Sequence, residues 1–134
     1  MELSYIRRCS ILFCSTAAKS AKNLEFVETW IFTKRIIALG LENQLRELQD
    51  LLPANPDAGA VDAGTGGLRK VRIADPRRGK GKRGGARVHY LLLTHRGLVY
   101  LVYVYGKDES DALTPDQKRQ LRAVVEMIKR EDAG

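Results

Sequence analysis

Two short segments of this chain carry basic side chains at every second position. Lys70 and Arg72 alternate with apolar residues in the first segment, and Arg87 and His89 do so in the second. Because neighbouring side chains of a β-strand point to opposite faces, each pair is expected to share one face of a sheet. Ammonium, guanidinium and imidazole groups on one face could bind a phosphate and move protons around it. The spacing therefore predicts a site for a polyanion.

The positive charge of the chain is concentrated around these segments. From Gly66 to Lys107 there are eleven basic residues and one acid, Asp75, whereas the whole chain of 134 residues carries a net charge of +7. Such charge suits nucleic acid or an acidic membrane surface, and charge alone does not distinguish the two. The glycine-rich loop between the segments lacks the GxxxxGK[ST] pattern of a nucleotide-binding loop. We predict RNA-backbone contacts for Arg69, Arg77, Arg78, Lys80, Lys82, Arg83 and Lys107.

The elements that must position these residues follow from the apolar patterns. Alternation predicts a first strand near residues 24–28 and a meander of strands near 67–74, 86–94 and 98–105. Helical spacing predicts two helices, the first capped by Thr29 and ended by Gly40, the second ending at Pro53. A last helix is expected after Thr114, with Pro115 at its first position. The fold class is therefore α+β, with an antiparallel sheet, a helical hairpin on one face and a C-terminal helix.

The first 22 residues differ from the remainder of the chain. We interpret residues 1–22 as an N-terminal extension that either lacks fixed structure or results from a mis-called start, and residues 23–134 as one domain. Both cysteines, Cys9 and Cys14, lie in the extension, so a disulfide scaffold is not indicated and a reducing, cytoplasmic location is favoured. An alternative is a secreted basic protein, because Arg7 and Arg8 precede a short apolar run that loosely resembles a signal peptide.

No metal, cofactor or membrane is indicated by the sequence. His89 and His95 have no acid near them in sequence, and no Cys/His cluster has the spacing of a metal site. No apolar run approaches the roughly 20 residues that span a membrane. The helical hairpin could be mistaken for a helix-turn-helix reader of DNA, but acids at its exposed positions would repel phosphates. These acids are Glu42, Glu47 and Asp50.

Three motifs occur in a fixed order along the presumed domain. They are GTGGLRKVR (64–72), RGKGKRGGARVHY (78–90) and YVYGK (103–107), the last followed by an acidic turn and Leu-Thr-Pro. Over about residues 23–131 the chain resembles the RelE superfamily of type II toxins, and within it the HigB-type branch. The resemblance implies a small sheet whose basic face cleaves mRNA on the ribosome. It also implies a cognate antitoxin, of helix-turn-helix type, that blocks that face.

The resemblance also implies roles for individual residues. Lys70 and Arg72 match paired basic residues on the second strand of the family, and Arg87 matches an arginine on the third. Metal-independent cleavage uses the neighbouring 2′-hydroxyl as nucleophile and needs stabilisation of the charge on phosphorus. Lys70 is a candidate base if crowding by the two arginines favours its uncharged amine, and otherwise a phosphate clamp.

The chain departs from the family at two positions after the last strand. Better-known members carry an arginine and a tyrosine there, where this sequence has Asp108 and Leu113. Tyr105 and His89 are candidate substitutes, although a single histidine on a strand is more often structural. The leading hypothesis is therefore an endoribonuclease with Lys70, Arg72, Arg87, His89 and Tyr105 as catalytic residues. The alternative is a non-catalytic nucleic-acid-binding protein that uses the same basic sheet.

Overall fold

The described residues form one sheet with helices on both faces. The computed structural model describes residues 6–9, 24–76, 85–93, 97–106 and 112–133, with the backbone alone for 6–9 and 132–133. The strands are β1 (Ile6–Cys9), β2 (Glu25–Thr29), β3 (Ala60–Val61), β4 (Arg69–Ile73), β5 (Ala86–Leu93) and β6 (Leu98–Gly106). The helices are α1 (Trp30–Leu39), α2 (Glu42–Leu51) and α3 (Pro115–Ala133). The α+β class, the helical hairpin, the three-stranded meander and the terminal helix are confirmed.

The sheet is mixed, so the prediction of a purely antiparallel sheet was wrong. Its strand order is β1-β2-β6-β5-β4-β3. β2 runs parallel to β6, and the other neighbouring pairs are antiparallel. The parallel pair arises because the helical hairpin and the meander lie between β2 and β6 in the chain, a connection long enough to return in the same direction. Strand periodicity records which side chains share a face but not which strands become neighbours.

Each face of the sheet has its own apolar core. On one face, which we call the hairpin face, α1 and α2 pack against the sheet through residues that include Phe32, Ile36 and Leu48. On the opposite face, the α3 face, Leu121, Val125 and Ile128 pack against β5 and β6. A strand that is buried on both sides loses the simple apolar and polar alternation. This explains why β5 and β6 are buried along most of their length.

The helix ends use the residues that the sequence predicted. The Thr29 hydroxyl accepts a hydrogen bond from the Phe32 amide at 3.1 Å, and Gly40 ends α1 with a left-handed φ of 69°. Thr114 accepts from the amide of Gln117 at 3.1 Å, and the Gln117 side chain accepts from the Thr114 amide at 2.9 Å. This reciprocal pair is a capping box at the start of α3.

Part of the predicted N-terminal extension lies beside the sheet. β1 pairs antiparallel with β2, with Ile6 opposite Thr29 and Cys9 opposite Phe26. The other residues of 1–22 lie outside the described residues, so the domain boundary near residue 23 stays a prediction.

Candidate functional site

The register of the meander places the predicted basic residues in two rows across three strands. Lys70 on β4 is opposite His89 on β5, which is opposite Tyr103 on β6. Arg72 is likewise opposite Arg87, which is opposite Tyr105. Neighbouring strands are about 4.8 Å apart, so each row spans roughly 10 Å. The structure thus brings together the five residues that the sequence identified as catalytic candidates, on the α3 face.

These residues differ sharply in exposure. Arg72 is exposed and Lys70 is half-buried, whereas Arg87, His89 and Tyr105 are buried, with exposures of 4%, 0% and 3%. The strand pattern predicted one shared face for these basic residues. Those on β5 are buried because α3 and the turn that carries Asp62 pack over this face. A solvent-facing polyanion therefore meets the β4 cations first.

A histidine and an aspartate are paired beneath the β4 cations. His89 Nε2 lies 2.9 Å from Asp62 Oδ2, and Lys118 Nζ from α3 lies 3.4 Å from the other carboxylate oxygen. Burial lowers the pKa of His89, as do the neighbouring charges of Lys70 and Lys118, and together these outweigh the opposing effect of Asp62. Burial alone would raise the pKa of Asp62, but His89 and Lys118 hold it below its usual value. At neutral pH the pair is therefore a neutral imidazole beside a carboxylate.

The loop that carries Asp62 has a defined conformation. The Asp62 amide donates to the Leu68 carbonyl at 2.8 Å, and the Thr65 hydroxyl donates to the Asp62 carbonyl at 2.6 Å while accepting from the Leu68 amide. Gly66 has a left-handed φ of 79°. A Cβ there would lie 3.3 Å from the Val125 side chain of α3. The GTGG motif therefore makes a tight turn against α3 that fixes Asp62 at its base.

Aromatic side chains continue the site from His89 along β6. The rings of His89 and Tyr105 are stacked with centroids 5.8 Å apart, and Tyr103 lies 6.0 Å from Tyr105. The Arg35 guanidinium of α1 lies 5.2 Å from the centre of the Tyr103 ring, and its Nε donates to the Val104 carbonyl at 2.5 Å. The half-buried Tyr103 and Arg35 form an aromatic and cationic surface beside the two rows.

Arg69 of β4 and Tyr90 of β5 lie on the hairpin face instead. Arg69 pairs in register with Tyr90 and donates to the Gly59 carbonyl at 2.7 Å. The Tyr90 hydroxyl donates to the Pro56 carbonyl at 2.8 Å and accepts from the Gly59 amide at 3.1 Å. Burial raises the pKa of Tyr90. Tyr90 is therefore part of the core on the hairpin face, and Arg69, predicted to bind RNA, is not brought together with Lys70 and Arg72.

The other residues predicted to contact RNA lie outside the described residues, as does Asp108. These predicted contacts are Arg77, Arg78, Lys80, Lys82, Arg83 and Lys107. Leu113 is buried in the core beneath α3. It therefore takes part in packing.

Sequence reasoning missed Asp62, Lys118 and Arg35. Asp62 precedes the GTGG turn, and a lone acid before glycines reads as turn chemistry. Lys118 and Arg35 are single cations on helices far from the motif in sequence. All three reach the site only through tertiary contacts, so no local pattern would identify them.

No model of a known protein family matches the chain. Among the described residues, no group of three or more His, Cys, Asp and Glu side chains could hold a metal ion. Within the same residues, no helix has both the length and the apolar character needed to cross a membrane.

Proposed function

We propose that this protein is the toxin of a type II toxin-antitoxin system, a ribosome-dependent endoribonuclease that contacts mRNA with its α3 face in the cytoplasm. The observation that carries the proposal is the alignment of Lys70, Arg72 and Arg87 in register with His89, Tyr103 and Tyr105. RNA cleavage without a metal needs cations around one phosphate, a proton acceptor and a proton donor. These residue types occur together in this part of the sheet.

Because the cations differ in exposure to solvent, we assign them different roles in the reaction. Exposed Arg72 and half-buried Lys70 hold the scissile phosphate, and a guanidinium can bind two of its oxygens at once. Arg87 lies behind Arg72 in the same row, where its buried charge stabilises the extra negative charge of the phosphorane. The 2′-oxygen attacks phosphorus, which leaves a 2′,3′-cyclic phosphate and a 5′-hydroxyl.

The same surface explains the expected partners. A basic face that fits the phosphates of ribosome-bound mRNA would also attract an acidic segment of a cognate antitoxin. We propose that the antitoxin, of helix-turn-helix type, neutralises the protein by covering Lys70 and Arg72.

One observation favours a second candidate function. Arg87, His89 and Tyr105 are buried, so a protein that only binds RNA through Lys70 and Arg72 would need no rearrangement of these groups. Such a non-catalytic binder would retain the β4 cations and their affinity for RNA but leave the RNA intact.

Single-turnover cleavage of mRNA on programmed ribosomes separates the two functions. The wild-type protein is expected to yield 5′-hydroxyl and 2′,3′-cyclic phosphate ends, and Arg72→Ala to lose roughly 100-fold or more in rate. Arg46→Ala is the matched control, because Arg46 is an exposed arginine on α2 and its loss changes the net charge equally. Intact mRNA together with tight RNA binding by the wild type would establish the binder instead.

A further inference from the structure

His89 has one ring nitrogen with a partner and one without. Nε2 faces the Asp62 carboxylate at 2.9 Å. Nδ1 is buried and has no hydrogen-bond partner among the described residues. Burying a polar atom without a partner is unfavourable, and most buried polar atoms in folded proteins have a hydrogen-bond partner. The unpartnered nitrogen therefore needs an explanation beyond packing.

The surroundings of Asp62 determine where the imidazole proton lies. Each carboxylate oxygen has its own partner, His89 Nε2 on one side and Lys118 Nζ on the other. An ionised carboxylate only accepts hydrogen bonds, so the proton between Asp62 and His89 belongs to Nε2. Because the pKa of His89 is lowered, chiefly by burial, the ring stays neutral and Nδ1 carries a lone pair.

The pair is held from several elements at once. The turn that carries Asp62 is closed by hydrogen bonds of Thr65 and packs on α3. The Lys129 ammonium of α3 donates to the Gly66 carbonyl at 3.0 Å. On the β6 side, Tyr105 stacks on the imidazole. The ring is therefore fixed in orientation as well as in protonation.

We propose that Asp62 is a positioning residue that keeps the proton of His89 on Nε2, so that Nδ1 serves as the base that accepts the proton of the attacking 2′-hydroxyl. This inference rests on the proposed function. The 2′-oxygen forms a bond to phosphorus, its proton passes to Nδ1, the bond from phosphorus to the 5′-oxygen breaks, and that oxygen takes a proton from water. The imidazolium then returns its proton to solvent.

Because Nδ1 is buried, side chains around His89 must shift when RNA binds if the 2′-hydroxyl is to approach Nδ1. Lys70, half-buried and opposite His89 on β4, is one neighbour on this face. Hydrogen bonds of catalytic groups are commonly incomplete before substrate binds. The attacking hydroxyl is thus the partner that Nδ1 lacks.

The test combines single-turnover cleavage on programmed ribosomes with NMR of the histidine ring nitrogens in the full-length protein. Asp62→Asn should slow cleavage by at least about 100-fold, the lower range for loss of acid-base catalysis. Its binding to ribosomes should be unchanged. Asp50→Asn is the matched control, since Asp50 is an exposed acid on α2 and its substitution changes the net charge equally, and it should cleave at close to the wild-type rate.

The pH dependence gives a readout in the wild-type protein itself. The groups that face His89 are Asp62 from the turn before β4, Lys118 from α3, Lys70 from β4, and Tyr103 and Tyr105 from β6. The wild-type rate should fall on the acid side with a midpoint below 6.5, the usual pKa of histidine. The ring titration of His89 in NMR, assigned by its loss in His89→Gln, should have the same midpoint.

Each outcome decides the inference. Slow Asp62→Asn, active Asp50→Asn and coincident midpoints support it. Wild-type rates in Asp62→Asn, equal losses in the two variants, or separate midpoints overturn it while the proposed function stands. Should Asp62→Asn fail to fold, the wild-type midpoints alone decide. Absence of cleavage by the wild type overturns the proposed function and this inference with it.

Discussion

At the residue scale, the buried pair of His89 and Asp62 links the stability of the protein to pH. The pKa of His89 is lowered in the folded chain, so the folded state takes up fewer protons than the unfolded state as the pH falls below 6.5. Stability must therefore decrease in that range. The pKa of Asp62 is also lowered, from 3.8, and its stabilising contribution is lost only at still lower pH. The loss of stability caused by His89 therefore begins at a higher pH than the loss caused by Asp62.

His89→Gln should remove the loss of stability that His89 causes below pH 6.5. Glutamine retains a donor that can reach Asp62 but does not titrate. We expect the free energy of unfolding of the wild type to decline between pH 7 and pH 5, and that of the variant to decline less. Urea denaturation at several pH values measures both. An identical decline in the two proteins would show that other groups cause the dependence.

At the element scale, the junction between β2 and α1 depends on one hydroxyl group. The Thr29 side chain accepts from the Phe32 amide and donates to the Val102 carbonyl of β6 at 2.8 Å. It therefore begins α1 and also joins that helix to the strand that carries Tyr103 and Tyr105. The position is buried, so water cannot replace the lost hydrogen bonds.

Thr29→Ala is expected to destabilise the protein by about 1 to 2 kcal/mol, as for loss of a helix cap. Thr29→Ser keeps the hydroxyl and should lose much less. Chemical denaturation of both variants measures the difference. Equal losses would mean that the methyl group, rather than the hydroxyl, carries the contribution of Thr29.

The strand β1 forms one edge of the sheet, next to β2. Removal of residues 1–22 takes away β1, which pairs with β2, but leaves both apolar cores intact. We expect the shortened chain to fold and to retain activity. It should also associate at high concentration, because an uncovered strand edge presents unpaired backbone groups. Light scattering at low and high concentration tests this, and loss of folded protein would make β1 essential to the domain.

At the scale of the whole molecule, the cations divide between the two faces. Lys70, Arg72 and Arg87 lie on the α3 face, whereas Arg69, adjacent in sequence, reinforces a turn on the hairpin face. RNA affinity should therefore depend on particular residues rather than on net charge.

Binding to single-stranded RNA should show this in its salt dependence. About five or six phosphate contacts predict a slope of log affinity against log salt of roughly −4, near −0.7 per contact. Lys70→Ala should reduce the slope by about one contact, and Arg46→Ala should leave it unchanged. Fluorescence anisotropy at several salt concentrations measures the slopes. A wild-type slope near zero would show that the basic face binds something other than nucleic acid.

From β2 onward, and apart from the two-residue strand β3, the sequence by itself determined the element types, their order and the residues that share a face. Strand periodicity placed Lys70 with Arg72 and Arg87 with His89, and Thr29, Gly40 and Thr114 marked helix ends correctly. These features depend on side-chain direction and on backbone preferences within a few residues. Local chemistry is sufficient to specify them.

Only the tertiary structure decided which strands are neighbours, which cations are buried and which residues complete the site. The parallel pairing of β2 with β6 and the approach of Asp62 and Lys118 to His89 join positions that are far apart in the chain. Such contacts depend on how two apolar cores close on opposite faces of one sheet. That closure is a property of the whole chain, so no local pattern of residues contains it.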